Sequence, residues 1–125
     1  MTLKRYNLDQ IMGDIVNALL RAQEDLENTI GLYGEACDAV AECERIYRQT
    51  RGDTTRALRA EGMPVTLILD IAKGDTAGLK ADVIKAEGRR KRYQMMVNAI
   101  EHRLNTLKFI ARRTDALADQ YMGEG

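Results

Sequence analysis

The residues able to do chemistry are few, and their spacing gives them little to do. His102 is the single histidine, the only cysteines are Cys37 and Cys43, and there is no serine. A serine nucleophile therefore does not exist, and two-histidine metal ligation cannot be assembled. Cys37 and Cys43 stand six residues apart, roughly 600° of helical rotation, so their side chains leave on different faces and cannot pair within one helix. They read as reduced, packed thiols of a cytoplasmic protein, with no histidine near them to complete a metal site. Glu24 with Glu27 and Asp38 with Glu42 have helical spacing that would suit a divalent ion, but the Glu-x-x-His pattern of di-metal bundles is missing. The segment Lys73 to Lys80 has the glycines of a phosphate loop. It lacks the Lys-Ser/Thr pair, the right spacing and a preceding strand. The expectation is a protein that is not an enzyme and takes no cofactor and no metal.

What the sequence does carry is a repeat of seven. Leu8, Ile15, Ala22, Thr29, Ala36, Cys43, Thr50 and Ala57 mark one position of it. Met12, Leu19, Leu26, Tyr33, Val40, Tyr47 and Thr54 mark the other. A second run pairs Leu79, Ala86, Tyr93, Ile100, Leu107, Thr114 and Tyr121 with Val83, Val97, Leu104, Ala111 and Ala118. Spacing of 4 and 3 sustained this long makes a left-handed helical seam. One proline in 125 residues leaves room for very long helices. The expected fold class is all-α: a long antiparallel helical hairpin, coiled-coil-like, with a short connecting helix, assembling into an oligomeric bundle.

Within a single domain, 1–125, the elements are expected as a helix over about 8–61, a short helix over about 66–73 and a helix over about 76–121. Asn7 reads as the first N-cap, Thr66 as the second, and Gly74 as a stop. Gly31, Gly34 and Gly52 are candidate bends or breaks in the first helix. The short helix is apolar on most sides and is expected to plug the top of the bundle. A strand over Val65 to Leu69 is the rival reading, with nothing to pair against.

The apolar face is broader than a two-helix seam. Ile11, Leu32 and Ile46 flank one side of the first helix, and Val16, Ile30 and Cys37 the other. Met96, Ile110 and Leu117 flank the last. A hairpin alone does not cover so wide a face, which points to a homodimer or larger homo-oligomer. Met95, His102 and Phe109 recur at spacing seven off the main seam and form a second thin stripe, a surface for a partner protein or a further oligomer contact.

Charge is segregated although the total is zero. Residues 8–44 hold nine acids and one base, whereas residues 45–92 hold twelve bases and six acids. Arg45, Arg48, Arg89, Lys91 and Arg92 form the candidate contact for phosphate, nucleic acid or a nucleotide; the rival reading is solvated flanks that pair with acidic helix faces. Arg90 stands where the seam expects an apolar residue, and counting from the corner sets it near Cys43, Glu44 and Tyr47. A register-fixing pair with Glu44 is expected there. No secretion signal is read at the start of the sequence, and no apolar run exceeds three residues, as at Leu67-Ile68-Leu69, far too short for a bilayer, so no membrane partner is expected.

The segment Arg59-Ala60-Glu61-Gly62-Met63-Pro64-Val65-Thr66-Leu67-Ile68-Leu69-Asp70-Ile71-Ala72-Lys73-Gly74-Asp75, with Lys85-Ala86-Glu87-Gly88, Tyr93 and Ala99-Ile100-Glu101-His102-Arg103-Leu104-Asn105-Thr106-Leu107-Lys108, resembles small helical accessory proteins carried by temperate phages and prophages. These share an "EGxPVTLIxDxAKGD" corner between two long helices. The resemblance spans roughly residues 45–112. It implies a bacterial cytoplasm and a task in host takeover, recombination or defence evasion. It supplies no catalytic or binding residues. The expected role is a non-catalytic interaction protein that modulates a host or phage protein, an anti-defence inhibitor in its most concrete form.

Overall fold

The structure is a computed structural model that describes residues 2–123, and their side chains over 7–120. It is all-α. Helix α1 spans Thr2–Ala60, α2 Val65–Asp75 and α3 Ala77–Gly123. Among the described residues there is no strand, so the rival reading of Val65 to Leu69 falls.

Helix α1 begins before Asn7, which is therefore interior and not a cap. The helix also runs unbroken through Gly31, Gly34 and Gly52. None of the three glycines has positive φ. Each weakens the helix by about 1 kcal/mol relative to alanine, and packing along the seam outweighs that local cost.

The heptad reading places the core. Ile15, Ala22, Thr29 and Ala36 on α1 and Val83, Leu104 and Thr114 on α3 are buried. Most remaining seam positions are half-buried. Tyr121 lies outside the described side chains. Ala57 is exposed; at this end of α1, Leu58 and Met63 take over as the half-buried residues. The buried threonines do not pair across the seam. Thr29 donates to the Asp25 carbonyl at 2.7 Å and Thr114 to the Ile110 carbonyl at 2.9 Å, each satisfying its hydroxyl within its own helix.

The chain divides into two compact units. One comprises residues 1–31 with 95–125. Here α1 and α3 pack antiparallel: Arg103 donates to Asp25 at 2.9 Å, while Thr29, four residues on, shares a notch with Met96, Ala99 and Ile100.

The other unit comprises residues 32–94 and contains the corner. Helix α1 ends in a Schellman turn: Gly62 N–H donates to Arg59 at 3.0 Å and Met63 N–H to Leu58 at 3.3 Å. This turn requires the left-handed φ of +78° at Gly62. Pro64, not Thr66, precedes the first turn of α2, and its carbonyl accepts from Ile68 at 3.0 Å. Gly74 lies inside α2, which closes one residue after Asp75 at Thr76. Thr76 is buried and bridges two helices. Its hydroxyl and its N–H both donate to Ala72, at 2.6 and 3.1 Å, and its carbonyl accepts from Lys80 at 3.0 Å.

The plug expected of α2 is not formed. Only Ile68 and Ala72 are buried, and they continue through Thr76 into the α3 seam at Leu79 and Val83. Val65, Leu67 and Leu69 remain 65%, 46% and 52% exposed. Helix α2 thus extends the α3 stripe, with a short turn, residues 61–64, at the corner.

Candidate functional site

The five basic candidates all fall in the unit of residues 32–94. They do not make one free cluster. Arg45 is a fork on Glu42, with Nε at 3.0 Å from one carboxylate oxygen and Nη2 at 2.7 Å from the other, and its Nη1 donates to Gln49 at 3.0 Å. The hydrogen bond from Arg45, then its charge, holds the Glu42 carboxyl below the ordinary glutamate range, and Glu42 in turn raises the Arg45 guanidinium. Arg48 lies 3.7 Å from Glu44, at the edge of an ion pair. Arg89 sits over the Tyr93 ring, 5.8 Å from its centroid. Lys91 and Arg92 are exposed, with no carboxylate within 4.0 Å among the described residues.

The expected Glu44–Arg90 pair is absent. Glu44 turns to Arg48 on its own helix, four residues away, and Arg90 is half-buried without an ion pair among the described residues. The register explains this. Lys80 lies over Tyr47 at 5.2 Å, so ten residues further along an antiparallel partner Arg90 comes opposite the Cys37 to Val40 turn, not Glu44. The corner count failed because α2 continues the α3 stripe and lengthens that side of the pairing.

Sequence reasoning missed the half-buried Tyr47 as a polar node. Its hydroxyl accepts from Arg51 at 3.0 Å while Lys80 covers its ring. The i, i+4 spacing of Tyr47 and Arg51 was the available signal. Cations therefore occupy the ring faces of both Tyr47 and Tyr93 where nucleic-acid bases would stack.

The stripe Met95, His102 and Phe109 lies on α3 in the unit of residues 1–31 and 95–125. All three side chains are exposed, Met95 by 71% and Phe109 by 58%, and Arg113 stands over the Phe109 ring at 5.8 Å. Spacing of seven sets them on one face two turns apart. The flanking residues of the same unit are also uncovered: Ile11, Val16, Ile30, Met96, Ile110 and Leu117 are between 41% and 50% exposed.

A notch of about 380 Å³ opens in this unit, with Met96, Ala99 and Ile100 on its walls and Asp25 and Arg103 at its side. It holds one ion pair and no nucleophile–base arrangement. Cys37 and Cys43 are free, half-buried thiols. Among the described residues no three His, Cys, Asp or Glu side chains gather as a metal site would require, and no helix is long and apolar enough to cross a membrane. Searches of protein-family models, curated proteins and solved structures return no match to this chain.

Proposed function

We propose that the chain is a non-catalytic interaction protein of the kind temperate phages carry: it self-assembles along its long helices in the bacterial cytoplasm and binds and modulates a host or phage protein. An anti-defence inhibitor is the most concrete form of this role. The observation that carries the reading is the uncovered apolar surface. Met95 and Phe109 form a stripe on α3, and the seam flanks beside it are open as well. Exposed apolar side chains that recur along a helix face suit the docking of a partner protein. The EGxPVTLIxDxAKGD corner supplies the phage context.

The test is quantitative affinity capture from infected and uninfected bacterial lysate with wild-type protein and with a Met95→Glu/Phe109→Glu variant. One identified protein should be enriched by the wild type and lost with the variant, while circular dichroism shows equal helicity. Turnover of a substrate by the purified chain, with no protein enriched, would overturn the proposal.

A second reading keeps the basic residues of the 32–94 unit as a binder of nucleic acid or a nucleotide signal. Lys91 and Arg92, exposed and free of carboxylate partners among the described residues, favour it. It requires a DNA, RNA or nucleotide affinity that falls steeply with salt and that drops in a Lys91→Gln/Arg92→Gln variant.

A further inference from the structure

Arg51 of α1 and Lys80 of α3 converge on one tyrosine in the unit of residues 32–94. Arg51 Nη1 donates to the Tyr47 hydroxyl at 3.0 Å, and Lys80 Nζ stands 5.2 Å from the centre of the same ring. Neither cation has a carboxylate within 4.0 Å among the described residues. The neighbouring arginines of α1 behave differently. Arg45 lies against Glu42, Arg48 against Glu44 and Arg56 against Asp53. Arg51 turns instead to a neutral phenol.

The spacing of residues accounts for this. A helix pairs its charges three and four residues apart. Those positions around Arg51 are Tyr47, Arg48, Thr54 and Thr55, and around Lys80 they are Thr76, Ala77, Val83 and Ile84. No acid stands at any of them. Two positive charges therefore meet at a half-buried tyrosine, and neither helix offers a carboxylate in pairing position to neutralise them. The polar atoms there are mostly donors as well. The Tyr47 oxygen accepts from Arg51 and keeps its own hydrogen to give. Arg51 commits one N–H to the phenol, and the Lys80 ammonium has donors alone. Both charged side chains are exposed, so a ligand reaches them directly from solvent.

We propose that Tyr47, Arg51 and Lys80 form a site for a phosphate dianion. A phosphate dianion matches the charge of both cations, and its oxygens accept from the donors gathered there. The phenol holds Arg51 in place beforehand, which lowers the cost of ordering that long side chain on binding. Lys80 reaches the same anion by rotation about its flexible stem. A lone carboxylate carries a single charge and matches only one of the cations. A nucleic-acid base is not read at this point, because Lys80 covers the ring face on which it would stack. The inference rests on the second reading above, a phosphate binder in the unit of residues 32–94, and moves its centre from Lys91 and Arg92 to Tyr47.

Titration with inorganic phosphate at slightly alkaline pH, against sodium chloride of equal ionic strength, tests the site. The Tyr47 ring and Arg51 Nε resonances should shift and saturate with phosphate and not with chloride. Arg51→Gln and Lys80→Gln should each weaken phosphate affinity by about tenfold, and Tyr47→Phe, which keeps the ring and loses the hydroxyl, by about fivefold. Lys91→Gln/Arg92→Gln should leave it unchanged, with equal helicity by circular dichroism throughout. Adenosine 5′-monophosphate in a parallel arm separates the sources: tighter binding than inorganic phosphate assigns an ester, equal binding the free ion, and both sustain the site. A wild-type chain that responds to phosphate no more than to chloride overturns it, as does a phosphate affinity that survives both Arg51→Gln and Lys80→Gln. A nucleic-acid affinity lost in Lys91→Gln/Arg92→Gln would then still leave the second reading standing.

Discussion

Glu42 and Arg45 show how a helix disposes of its own charges. Three residues apart on α1, they close a two-bond fork, and the carboxyl is held below its ordinary range by that fork. The sign of the linkage follows. Because the folded value is depressed, the pair contributes above the unfolded glutamate range and loses its contribution as pH falls through the folded value. Both side chains are more than half exposed, so solvent screening leaves the effect on stability small. The clean readout is the carboxyl itself. A ¹³C titration should place the Glu42 midpoint below that of an unpaired glutamate, and Arg45→Gln should move it back up. An unchanged midpoint would mean the fork does not persist in solution. Arg45 was legible in the sequence as a basic residue at a basic end. That its guanidinium is spoken for was legible too, through the i, i+3 spacing to Glu42. Arg90 was not legible in the same way, since its neighbours depend on how one helix is set against another.

At the scale of elements, the repeat of seven identified the buried positions because burial on a helix follows its period, and the period is written locally. The ends of the elements were harder. Asn7, Thr66 and Gly74 all have the residue types that cap or stop helices, yet each lies inside one. These weak local signals did not end the helices, which run on past them. Gly62 is the exception, where the local signal and the structure agree. Two glycines therefore give opposite expectations. Gly34 is exposed mid-helix, and a Cβ there meets nothing within 4 Å, so Gly34→Ala should stabilise by about 1 kcal/mol. Gly62 also has room for a Cβ, but its φ of +78° strains any other residue, so Gly62→Ala should destabilise by about 1–2 kcal/mol. Urea denaturation of both variants, read by helix signal, checks the pair. A stabilising Gly62→Ala would mean that the turn at the corner is drawn wrongly.

For the whole molecule, the charge balance of 19 basic and 19 acidic residues says little. The uncovered apolar area says more. If part of that area is covered by a second copy, unfolding and dissociation are coupled, and thermal stability rises with protein concentration. A tenfold dilution should lower the melting temperature by about 4 °C, and a melting temperature independent of concentration would contradict the coupling. The breadth of the apolar face was readable in the sequence from the flanking residues. Which residues of α3 stand opposite which on α1 was not, because it follows from the Asp25–Arg103 contact and the register that contact sets. That same contact has a mechanical consequence. It is the sole ion pair between two helices among the described residues, and an exposed pair is a weak lock. A repeat of seven is nearly self-similar, so sliding one helix past its neighbour by about 10 Å would bring greasy row against greasy row again. The left-handed hinge of backbone at Gly62 is then the stop on the rack: with it severed, the halves would index at several settings instead of one.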